Sequence, residues 1–476
     1  MKPVRTRFAP SPTGALHAGA VRTALFGWLL ARQAQGQFIL RIEDTDQARE
    51  VEGAVQNIID SLKFVGLDWD EGPEKGGDYG PYTQSQRLAI YKEWADKLVA
   101  SGRAYADPYT PEQVEIYRDQ AKADKKPFLF RDYRPANPPI WDGTQPLRLK
   151  SDPKAYQWHD EVMGDLQAGP ESVDDFILIK SDGFPTYNFA HIIDDYLMKI
   201  THVIRSQEFI ASTPKYLNLY EALGIERPLL ATVPQVLAPD GKRKLSKRFG
   251  AKQILDYKQE GYLPSALLNF IANLGWNDGT EQEIFTPAEL IQKFSLSRVQ
   301  KSGAVFDDHR LLWVNGAHIR RLSVDELATA VADFWPDSAQ AYDDDYKKRV
   351  LALVQERLKY FAELPSLTEL FFTDLAVNPS LISDHKQLSQ LSTQELKDLL
   401  TQASAELANS DFSLEDLSDR LNQLLETTGQ KPAILFSLIR IATTEEPSSP
   451  ALADSLAVLG KERSLARLDR HLASLV

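Results

Sequence analysis

Apolar and polar residues follow two different patterns along the chain, and these divide it into a mixed front part and a helical rear part. Short apolar runs, typical of buried strands, occur at residues 4–8, 38–42, 176–179, 202–205 and 233–237. Between these runs, apolar residues recur at the three- and four-residue spacing of amphipathic helices. From Gly261 onward the helical spacing continues almost to the end, without a fixed-period repeat. The pattern therefore predicts an α/β region followed by an all-α region.

The first predicted strand leads directly into a turn and a helix. Pro10, Pro12 and Gly14 mark the turn, and His17 and Gly19 lie where the helix begins. A turn that enters a helix presents backbone N–H groups and the positive end of the helix dipole, both of which suit a phosphate. Because Gly19 has no side chain, a flat ring or a phosphate can approach the backbone there. The segment fits either a nucleotide-phosphate site or an ordinary strand–helix unit that half-buries a histidine.

Two charged residues follow predicted strands at positions where ligands bind. Glu43 comes directly after the run 38–42, and Arg205 ends the run 202–205. In open parallel sheets, ligands bind at the carboxyl ends of the strands. Glu43 is thus placed to meet a cation, although the neighbouring Asp and Thr residues also suit a helix N-cap cluster.

Composition narrows the class of protein. The chain has 476 residues, a formal net charge of −13, no cysteine and 8 histidines. It can form no disulfide and no cysteine-ligated zinc or iron–sulfur site, and we expect no structural metal. No apolar run is long enough to cross a membrane, and the first residues lack the apolar core of a signal peptide, so we expect a cytoplasmic protein.

The net negative charge argues against a protein that coats nucleic acid. It does not exclude a local basic surface, and the sequence contains one basic cluster. This cluster comprises Lys242, Arg243, Lys244, Lys247, Arg248 and Lys252. Residues 104–150 form a second unusual stretch, rich in proline, in basic side chains and in interleaved aromatic residues. The aromatic residues could stack on bases or ribose, or could form the small core of a solvated insertion.

Two distant motifs resemble the signatures of class I aminoacyl-tRNA synthetases. The first is His17-Ala18-Gly19-Ala20, and the second is Lys244-Leu245-Ser246-Lys247-Arg248. Further motifs resemble the bacterial glutamyl-tRNA synthetase family over nearly the whole chain: FAPSPTG at 8–14, RIEDTD at 41–46, SDGFPTY at 181–187, SGAVFD at 302–307 and GKERSLARL at 460–468.

The resemblance implies a fold and a division into domains. The fold is α/β followed by all-α, with a Rossmann-type parallel-sheet catalytic domain. The implied segments are a first catalytic half at 1–103, an inserted acceptor-end-binding domain at 104–200, a second catalytic half at 201–244, a stem-contact domain with the signature loop at 245–325, and a helical anticodon-binding region at 326–476.

The resemblance also implies a reaction and its residues. ATP, bound with Mg²⁺, activates L-glutamate to glutamyl-adenylate, and the glutamyl group then passes to the 3′-terminal adenosine of tRNA(Glu). The implied catalytic residues are His17, Lys244 and Lys247. The implied glutamate-binding residues are Arg7, Ala9, Ser11, Glu43, Tyr187 and Arg205. The implied ATP-binding residues are Pro10, His17, Gly19, Glu208, Lys244, Leu245, Ser246, Lys247 and Arg248.

The chemistry of glutamate agrees with this set of residues. Glutamate carries one ammonium and two carboxylates, so its site needs one acid and two cations. Glu43 would take the ammonium, and Arg7 and Arg205 would meet carboxylates through their planar guanidinium groups. Glutamine would leave a buried guanidinium without its ionic partner, which disfavours it.

Three positions depart from the family pattern. Arg205-Ser206-Gln207-Glu208 replaces the more usual Arg-Gly-Glu-Asp-type sequence, and His191 stands where some relatives have Asn or Val. The segment 105–109 occupies the place where many relatives bind zinc through cysteines, so we expect no zinc.

The tRNA choice is open at the level of sequence. Arg357 aligns loosely with an arginine that reads the third anticodon base in some relatives, which would restrict the enzyme to tRNA(Glu). The alternative is a non-discriminating enzyme that also glutamylates tRNA(Gln). A small nucleotidyltransferase would not need Glu43, Tyr187 and Arg205 together, and a non-catalytic relative would not need His17 or Lys247. The expected partners are tRNA(Glu) and L-glutamate, with no membrane, and we expect a monomer.

Overall fold

The computed structural model describes residues 3–246, 250 and 252–475. The contacts within the chain divide it into two compact units. Unit 1 comprises residues 1–259 and 264–314, and unit 2 comprises residues 260–263 and 315–476. Unit 1 contains every strand of the described residues, and unit 2 is helical, as the sequence pattern predicts.

The strands are β1 Arg5–Phe8, β2 Gln37–Leu40, β3 Ala104–Ala106, β4 Leu147–Leu149, β5 Tyr156–Asp160, β6 Gly164–Ala168, β7 Ile177–Ile179, β8 His202–Ser206, β9 Leu229–Val233, β10 Val236–Leu237 and β11 Ala304–Val305.

The α-helices of the first part are α1 Ala18–Gln33, α2 Ala54–Phe64, α3 Leu88–Ala100, α4 Pro111–Ala123, α5 Tyr187–Leu197, α6 Thr213–Leu223, α7 Ile254–Gln259, α8 Pro264–Ala272, α9 Pro287–Lys293 and α10 Asp308–Ile319. Those that follow are α11 Val324–Ala330, α12 Asp344–Val354, α13 Leu364–Phe372, α14 Ser380–Ser383, α15 Thr393–Ala408, α16 Leu414–Thr428, α17 Pro432–Thr444, α18 Leu452–Leu459 and α19 Lys461–Ser474. The short 3-10 helices are Gln47–Arg49, Gln84–Arg87, Phe130–Tyr133, Pro170–Ser172, Gln207–Ser212, Leu296–Arg298, Ala332–Phe334, Asp337–Ala341, Phe361–Glu363 and Leu388–Gln390.

Parallel strand pairs form the framework of unit 1. β1 pairs with β2 from Arg5 opposite Gln37 to Phe8 opposite Leu40. β8 pairs with β9 from His202 opposite Leu229 to Ser206 opposite Val233. Helix α1 packs on β1, and its predicted apolar positions, such as Val21 and Leu25, are fully buried. The carboxyl ends of β1 and β8 consequently lie beside the beginning of α1, where a ligand site is expected.

The run 233–237 is not one strand, contrary to the sequence prediction. β9 ends at Val233, and the separate strand β10 pairs in parallel with β11. Pro234 lies between them, and proline has no N–H to donate to a continuing ladder. Leu237 of β10 forms a bridge with Lys244, so the first residue of the second signature motif is anchored to this short strand.

The segment 104–150 contributes β3 and β4 to an antiparallel sheet with β7. Its aromatic side chains pack on one another: the rings of Tyr117 and Tyr133 stack with centroids 4.5 Å apart, and Phe128 stacks on Tyr133 at 5.6 Å. These aromatic faces therefore pack against one another within the insertion, as expected if they form its small core.

Unit 2 is built from α11 to α19 around two apolar cores. The four predicted leucines, Leu465, Leu468 and Leu472 of α19 and Leu475 directly after it, face one of these cores, and Leu468 is only 1% exposed. The last predicted helix and its buried face are confirmed.

Candidate active site

A cavity of about 290 Å³ lies at the carboxyl ends of β1 and β8 and at the beginning of α1. It collects residues that are far apart in sequence. Of the residues implied by the family resemblance, those that line it are Arg7, Ala9, Ser11, His17, Gly19, Glu43, Tyr187, Arg205, Glu208, Lys244 and Leu245. The two halves of the predicted site therefore do meet in one cavity.

His17 and Gly19 form the helix end of the cavity. His17 is the N-cap residue of α1 and has an extended backbone, and its carbonyl accepts the N–H groups of Ala20 and Val21. A Cβ at position 19 would lie 3.3 Å from Nδ1 and Cε1 of the His17 ring. Gly19 thus leaves room for the imidazole as well as exposing the first turn of the helix to a ligand.

Glu43 also lines this cavity and is only 4% exposed. Its Oε1 accepts a hydrogen bond of 2.8 Å from Nη2 of Arg41, which is itself fully buried. Burial raises the pKa of Glu43 to about 7, while the charges of Arg41 and Arg7 lower it. A second cation would favour the ionised carboxylate, so this acid is suited to an ammonium group.

Arg7 is held by an acid that the sequence analysis did not single out. Its Nε donates to Oδ1 of Asp195 at 3.1 Å, and its Nη2 faces Oδ2 at 3.3 Å. The same carboxylate accepts Nη1 of Arg41 at 2.8 Å. The two guanidinium groups hold the pKa of Asp195 at about 2 despite its burial. Asp195 therefore neutralises and orients the arginines on either side of it.

Arg205 differs from Arg7 in lacking an ionic partner. It is 6% exposed, its Nη2 donates to the Thr213 hydroxyl at 2.9 Å, and no described carboxylate forms an ion pair with it. Its Nε is buried and finds no acceptor among the described residues. Burial lowers the pKa of Arg205, as expected for a cation without a carboxylate. An anionic ligand group in the cavity would supply the missing partner.

The charges around Glu43 leave an excess of one positive charge. Arg7, Arg41 and Arg205 stand against Glu43 and Asp195, three cations against two anions when Glu43 is ionised, while the nearby Asp194 pairs with Arg87. In this cluster Arg205 is the cation without an acid. An anionic ligand group at this end of the cavity would supply its counter-charge.

The signature loop, Lys244 to Arg248, reaches the cavity through Lys244 and Leu245. Nζ of Lys244 forms an ion pair of 2.7 Å with Oε2 of Glu208, and both side chains are about half exposed. The N–H of Leu245 donates to the Val236 carbonyl at 2.9 Å. Lys247 and Arg248 lie outside the described residues. Pro10 and Ser246 do not belong to the lining of the cavity.

Asp195, Arg41 and Arg22 belong to the site but were not predicted. Asp195 lies eight residues after Tyr187 on α5, so both project from one face of the helix. The signal in the sequence is an acidic pair, Asp194-Asp195, inside an otherwise apolar helical pattern. Arg22 lines the cavity from α1, and its guanidinium donates to the carbonyls of Leu274 and Pro234.

Neither a candidate metal site nor a membrane-spanning helix occurs among the described residues. Among them, no group of three or more histidine or acidic side chains is arranged to hold a metal ion. None of the described helices is long and apolar enough to cross a bilayer.

Arg357, the predicted anticodon residue, lies in unit 2. Its Nη1 and Nη2 are 3.3 Å from the carbonyl of Ser448, and Nη2 is 3.2 Å from the Ser448 hydroxyl. The guanidinium is thereby held at the polar linker between α17 and α18.

Comparisons with known proteins agree along the whole chain. Residues 3–313 match the family described as tRNA synthetases class I (E and Q), catalytic domain, and residues 326–472 match an anticodon binding domain. The chain is 41% identical to a glutamate–tRNA ligase of Dehalococcoides mccartyi, covering 99% of this chain and 98% of that one. It is 40% identical to a glutamate–tRNA ligase of Moorella thermoacetica over the same shares.

A solved structure extends the similarity to the fold. The glutamate tRNA ligase from Elizabethkingia meningosepticum, crystallised in complex with its amino acid, superposes with a TM-score of 0.88 at 30% identity and covers 100% of both chains. Together, the family match over both parts of the chain, the full-length relatives and the cavity geometry lead to one conclusion: the chain belongs to the class I tRNA synthetases of the E and Q family, with a parallel-sheet catalytic domain and a helical anticodon-binding domain.

Proposed function

We propose that this enzyme ligates L-glutamate to tRNA(Glu) in two steps. The names of the full-length relatives support the substrate, and the family supports ATP as co-substrate. The observation that carries the choice of amino acid is the charge pattern of the cavity, with one buried acid and one buried arginine that lacks an ionic partner.

The amino-acid end of the cavity matches glutamate group by group. Glu43 binds the ammonium group, and Arg205 binds a carboxylate through its guanidinium. Glutamate carries a net charge of −1 and balances the excess positive charge of the cluster around Glu43, whereas glutamine is neutral and leaves Arg205 without a counter-charge. Arg7 is already paired with Asp195 and contributes a shared donor. Ala9, Ser11 and Tyr187 complete the lining at this end.

The nucleotide end comprises Pro10, His17, Gly19, Glu208 and the residues of the signature loop. His17 and the first turn of α1 bind phosphate oxygens, and Mg²⁺ enters with ATP as part of the substrate. Lys244 leaves Glu208 to approach the phosphates, and Lys247 stabilises the departing pyrophosphate. Arg248 and Ser246 follow on the same loop.

Both chemical steps are displacements that require no side-chain nucleophile. In the first, a carboxylate oxygen of glutamate attacks the α-phosphorus of ATP, and pyrophosphate leaves. In the second, a hydroxyl of the 3′-terminal ribose of tRNA attacks the acyl carbon, and AMP leaves. The protein contributes positioning and stabilisation of the developing charge.

The remaining segments act on tRNA in this proposal. Residues 104–200 bind the acceptor end between the catalytic halves at 1–103 and 201–244, residues 245–325 contact the stem, and residues 326–476 read the anticodon. Arg357 contributes to reading the third anticodon base.

Charging assays test the proposal directly. Purified enzyme with ATP and Mg²⁺ is offered glutamate or glutamine on purified tRNA(Glu) and on purified tRNA(Gln). We expect glutamate on tRNA(Glu) to be the productive combination, and glutamine to be inactive on both tRNAs. Charging with glutamine in preference to glutamate would overturn the assignment of Arg205.

The tRNA arm of the same assay separates the two candidate specificities. Glutamate on tRNA(Gln) at a rate comparable with tRNA(Glu) would identify a non-discriminating enzyme and would remove the role given to Arg357. The variant Arg357→Gln, assayed on both tRNAs, tests that residue. We expect it to lose preference between the tRNAs while retaining its glutamate KM.

A further inference from the structure

His191 occupies a buried position directly behind the cavity. It lies one helical turn after Tyr187 and one turn before Asp195 on α5, and it is 3% exposed. Its ring stacks on Tyr187 with centroids 4.7 Å apart and an angle of 20°, and it meets Tyr216 edge-on at 4.7 Å. His191 does not line the large cavity. Any effect on the amino acid must therefore act through its neighbours.

The hydrogen bonds of His191 determine which nitrogen carries the proton. Nδ1 lies 2.7 Å from the Tyr187 carbonyl, which can only accept, so Nδ1 is the donor. The pKa of His191 is lowered to about 3, chiefly by burial and in smaller part by the charges of Arg205 and Arg7, while Asp195 and the Tyr187 carbonyl oppose this shift. The imidazole is therefore neutral near pH 7, and its Nε2 is an acceptor.

A small cavity connects His191 to Arg205. It is lined by His191, Asp195, Arg205, Thr213, Tyr216 and Tyr220, together with three apolar residues. It leaves about 10 Å³ for the centre of a water molecule, which is the space that a single water needs. Arg205 contributes the buried Nε–H that finds no acceptor among the described residues. The residues around this water-sized space thus carry one donor without an acceptor, Nε of Arg205, and two acceptors, Nε2 of His191 and the Asp195 carboxylate.

We propose that one buried water occupies this cavity, accepts from Nε of Arg205 and donates to Nε2 of His191 and to Asp195, so that His191 is a positioning residue for Arg205. The inference rests on the proposed function, because it concerns how Arg205 meets the carboxylate of glutamate. Thr213 fixes Nη2 of the same guanidinium at 2.9 Å. With Nε held by the water, the edge of the guanidinium that Nε and Nη2 form is fixed, and the remaining donors are left for the ligand.

A neutral acceptor is required at this position for a physical reason. A protonated imidazole would place a second cation next to Arg205 and could not accept from the water. The neutral ring satisfies the buried donor without cancelling the positive charge that selects a carboxylate. Its stacking on Tyr187 also holds the aromatic residue that lines the cavity beside Glu43.

Steady-state kinetics on two variants of His191 test the role. His191→Phe keeps a flat ring between Tyr187 and Tyr216 but removes both nitrogens. We expect it to raise the glutamate KM about tenfold, the effect of one lost hydrogen bond to a charged group, with ATP KM and kcat changed less than threefold. His191→Gln restores an acceptor, and we expect it to recover most of the loss. His159→Phe is the matched control, because His159 is an exposed histidine of the same unit.

An unchanged glutamate KM in His191→Phe would overturn the inference, provided that the wild-type enzyme charges tRNA with glutamate. If the wild type does not do so, the proposed function itself fails. Equal increases in the KM values of glutamate and ATP would point to a purely structural role and would also overturn the inference.

Two measurements on the wild-type protein do not depend on whether the variants fold. Nitrogen-15 NMR of the histidines should show His191 protonated at Nδ1 and without titration between pH 5.5 and 8 (about the range in which ordinary histidines titrate). A proton at Nε2 would contradict the inference. A high-resolution crystal structure should show a water within hydrogen-bond distance of both Arg205 Nε and His191 Nε2, and a cavity without water would contradict it.

Discussion

Arg205 in unit 1 and Arg467 in unit 2 are both buried arginines, but their surroundings differ. Arg205 is 6% exposed and Arg467 is 5% exposed. Arg467 donates to the carbonyls of Leu370, Thr373 and Thr443 at 2.6 to 2.7 Å, and it forms an ion pair with Asp374. Arg205 has one side-chain acceptor, the Thr213 hydroxyl, and a buried Nε without an acceptor among the described residues.

The surroundings of Arg467 identify a structural role. Two of its acceptors, Leu370 and Thr373, belong to the last turn and C-cap of α13, whose final carbonyls have no partner within the helix. A cation there satisfies these carbonyls and interacts favourably with the negative end of the helix dipole. Arg467 of α19 is thus hydrogen-bonded to the C-terminal end of α13 within unit 2 and stabilises the packing of the two helices.

Hydrogen-bond and ion-pair partners therefore separate a functional arginine from a structural one when both are buried. A guanidinium whose donors are all used by the protein is complete without a ligand. One that is buried with a spare donor and no counter-charge is costly to the fold and is kept for something that binds. Burial alone would have placed Arg205 and Arg467 in one class.

The largest expected effect is that of Arg205→Gln. We expect kcat/KM for glutamate to fall about 10²- to 10³-fold, because a buried carboxylate of the substrate loses its ionic partner. The melting temperature should not fall, since the protein supplies no carboxylate to Arg205. Arg205→Lys keeps the charge but loses the planar group, so its kcat/KM for glutamate should lie between the values of the wild type and of Arg205→Gln. A lowered melting temperature with an unchanged glutamate KM would place Arg205 in the structural class with Arg467.

For Arg467→Ala we expect a loss of stability with almost no change in the glutamate KM. Loss of its contacts leaves buried carbonyls unsatisfied, and we expect unit 2 to lose about 2–4 kcal/mol in its free energy of unfolding. Scanning calorimetry should show one transition shifted to lower temperature, while the glutamate KM stays within about twofold of the wild-type value. Arg470→Ala is the control on the same helix: Arg470 is 42% exposed, and its removal should cost less than about 1 kcal/mol. Equal effects of the two substitutions would contradict the role given to Arg467.

The smallest expected effect concerns Glu43, the acid that faces the arginines of unit 1. Its carboxyl has a pKa raised to about 7 by burial, so the ionised fraction falls as the pH drops through that value. The substrate ammonium requires the ionised form, so we expect the glutamate KM to rise up to about tenfold from pH 8 to pH 6.

Two of the neighbouring groups do not titrate in that window, because the pKa of Asp195 is about 2 and that of His191 about 3. His17 lines the same cavity, so the variant Glu43→Gln is needed to assign the profile to Glu43. Glu43→Gln should abolish the pH dependence and raise the glutamate KM at every pH. A flat profile in the wild type, or an unchanged profile in the variant, would contradict the assignment.

Long apolar periodicities predicted most of the architecture. The burial of α1 and α19, the positions of the strands at the front and the helical rear part all follow from local spacing of apolar residues. The prediction was wrong at 233–237, where an apolar run concealed a break at Pro234 and a change of strand partner from β8 to β11. Strand partners are set by residues far away in sequence, which a local pattern does not contain.

The fold class, the two signature motifs and the residue types of the site can be read from the amino-acid sequence, because each depends on residues that are neighbours in the chain. The three-dimensional arrangement of the chain is needed to tell which buried arginine is fully paired within the protein and which lacks an ionic partner. Arg7, Arg205 and Arg467 look alike in the sequence, and their roles depend on acceptors 8 to 188 residues away, such as Thr213 and Asp195. Chain folding alone brings these groups within hydrogen-bond distance and excludes water from them, which makes an unpaired charge significant.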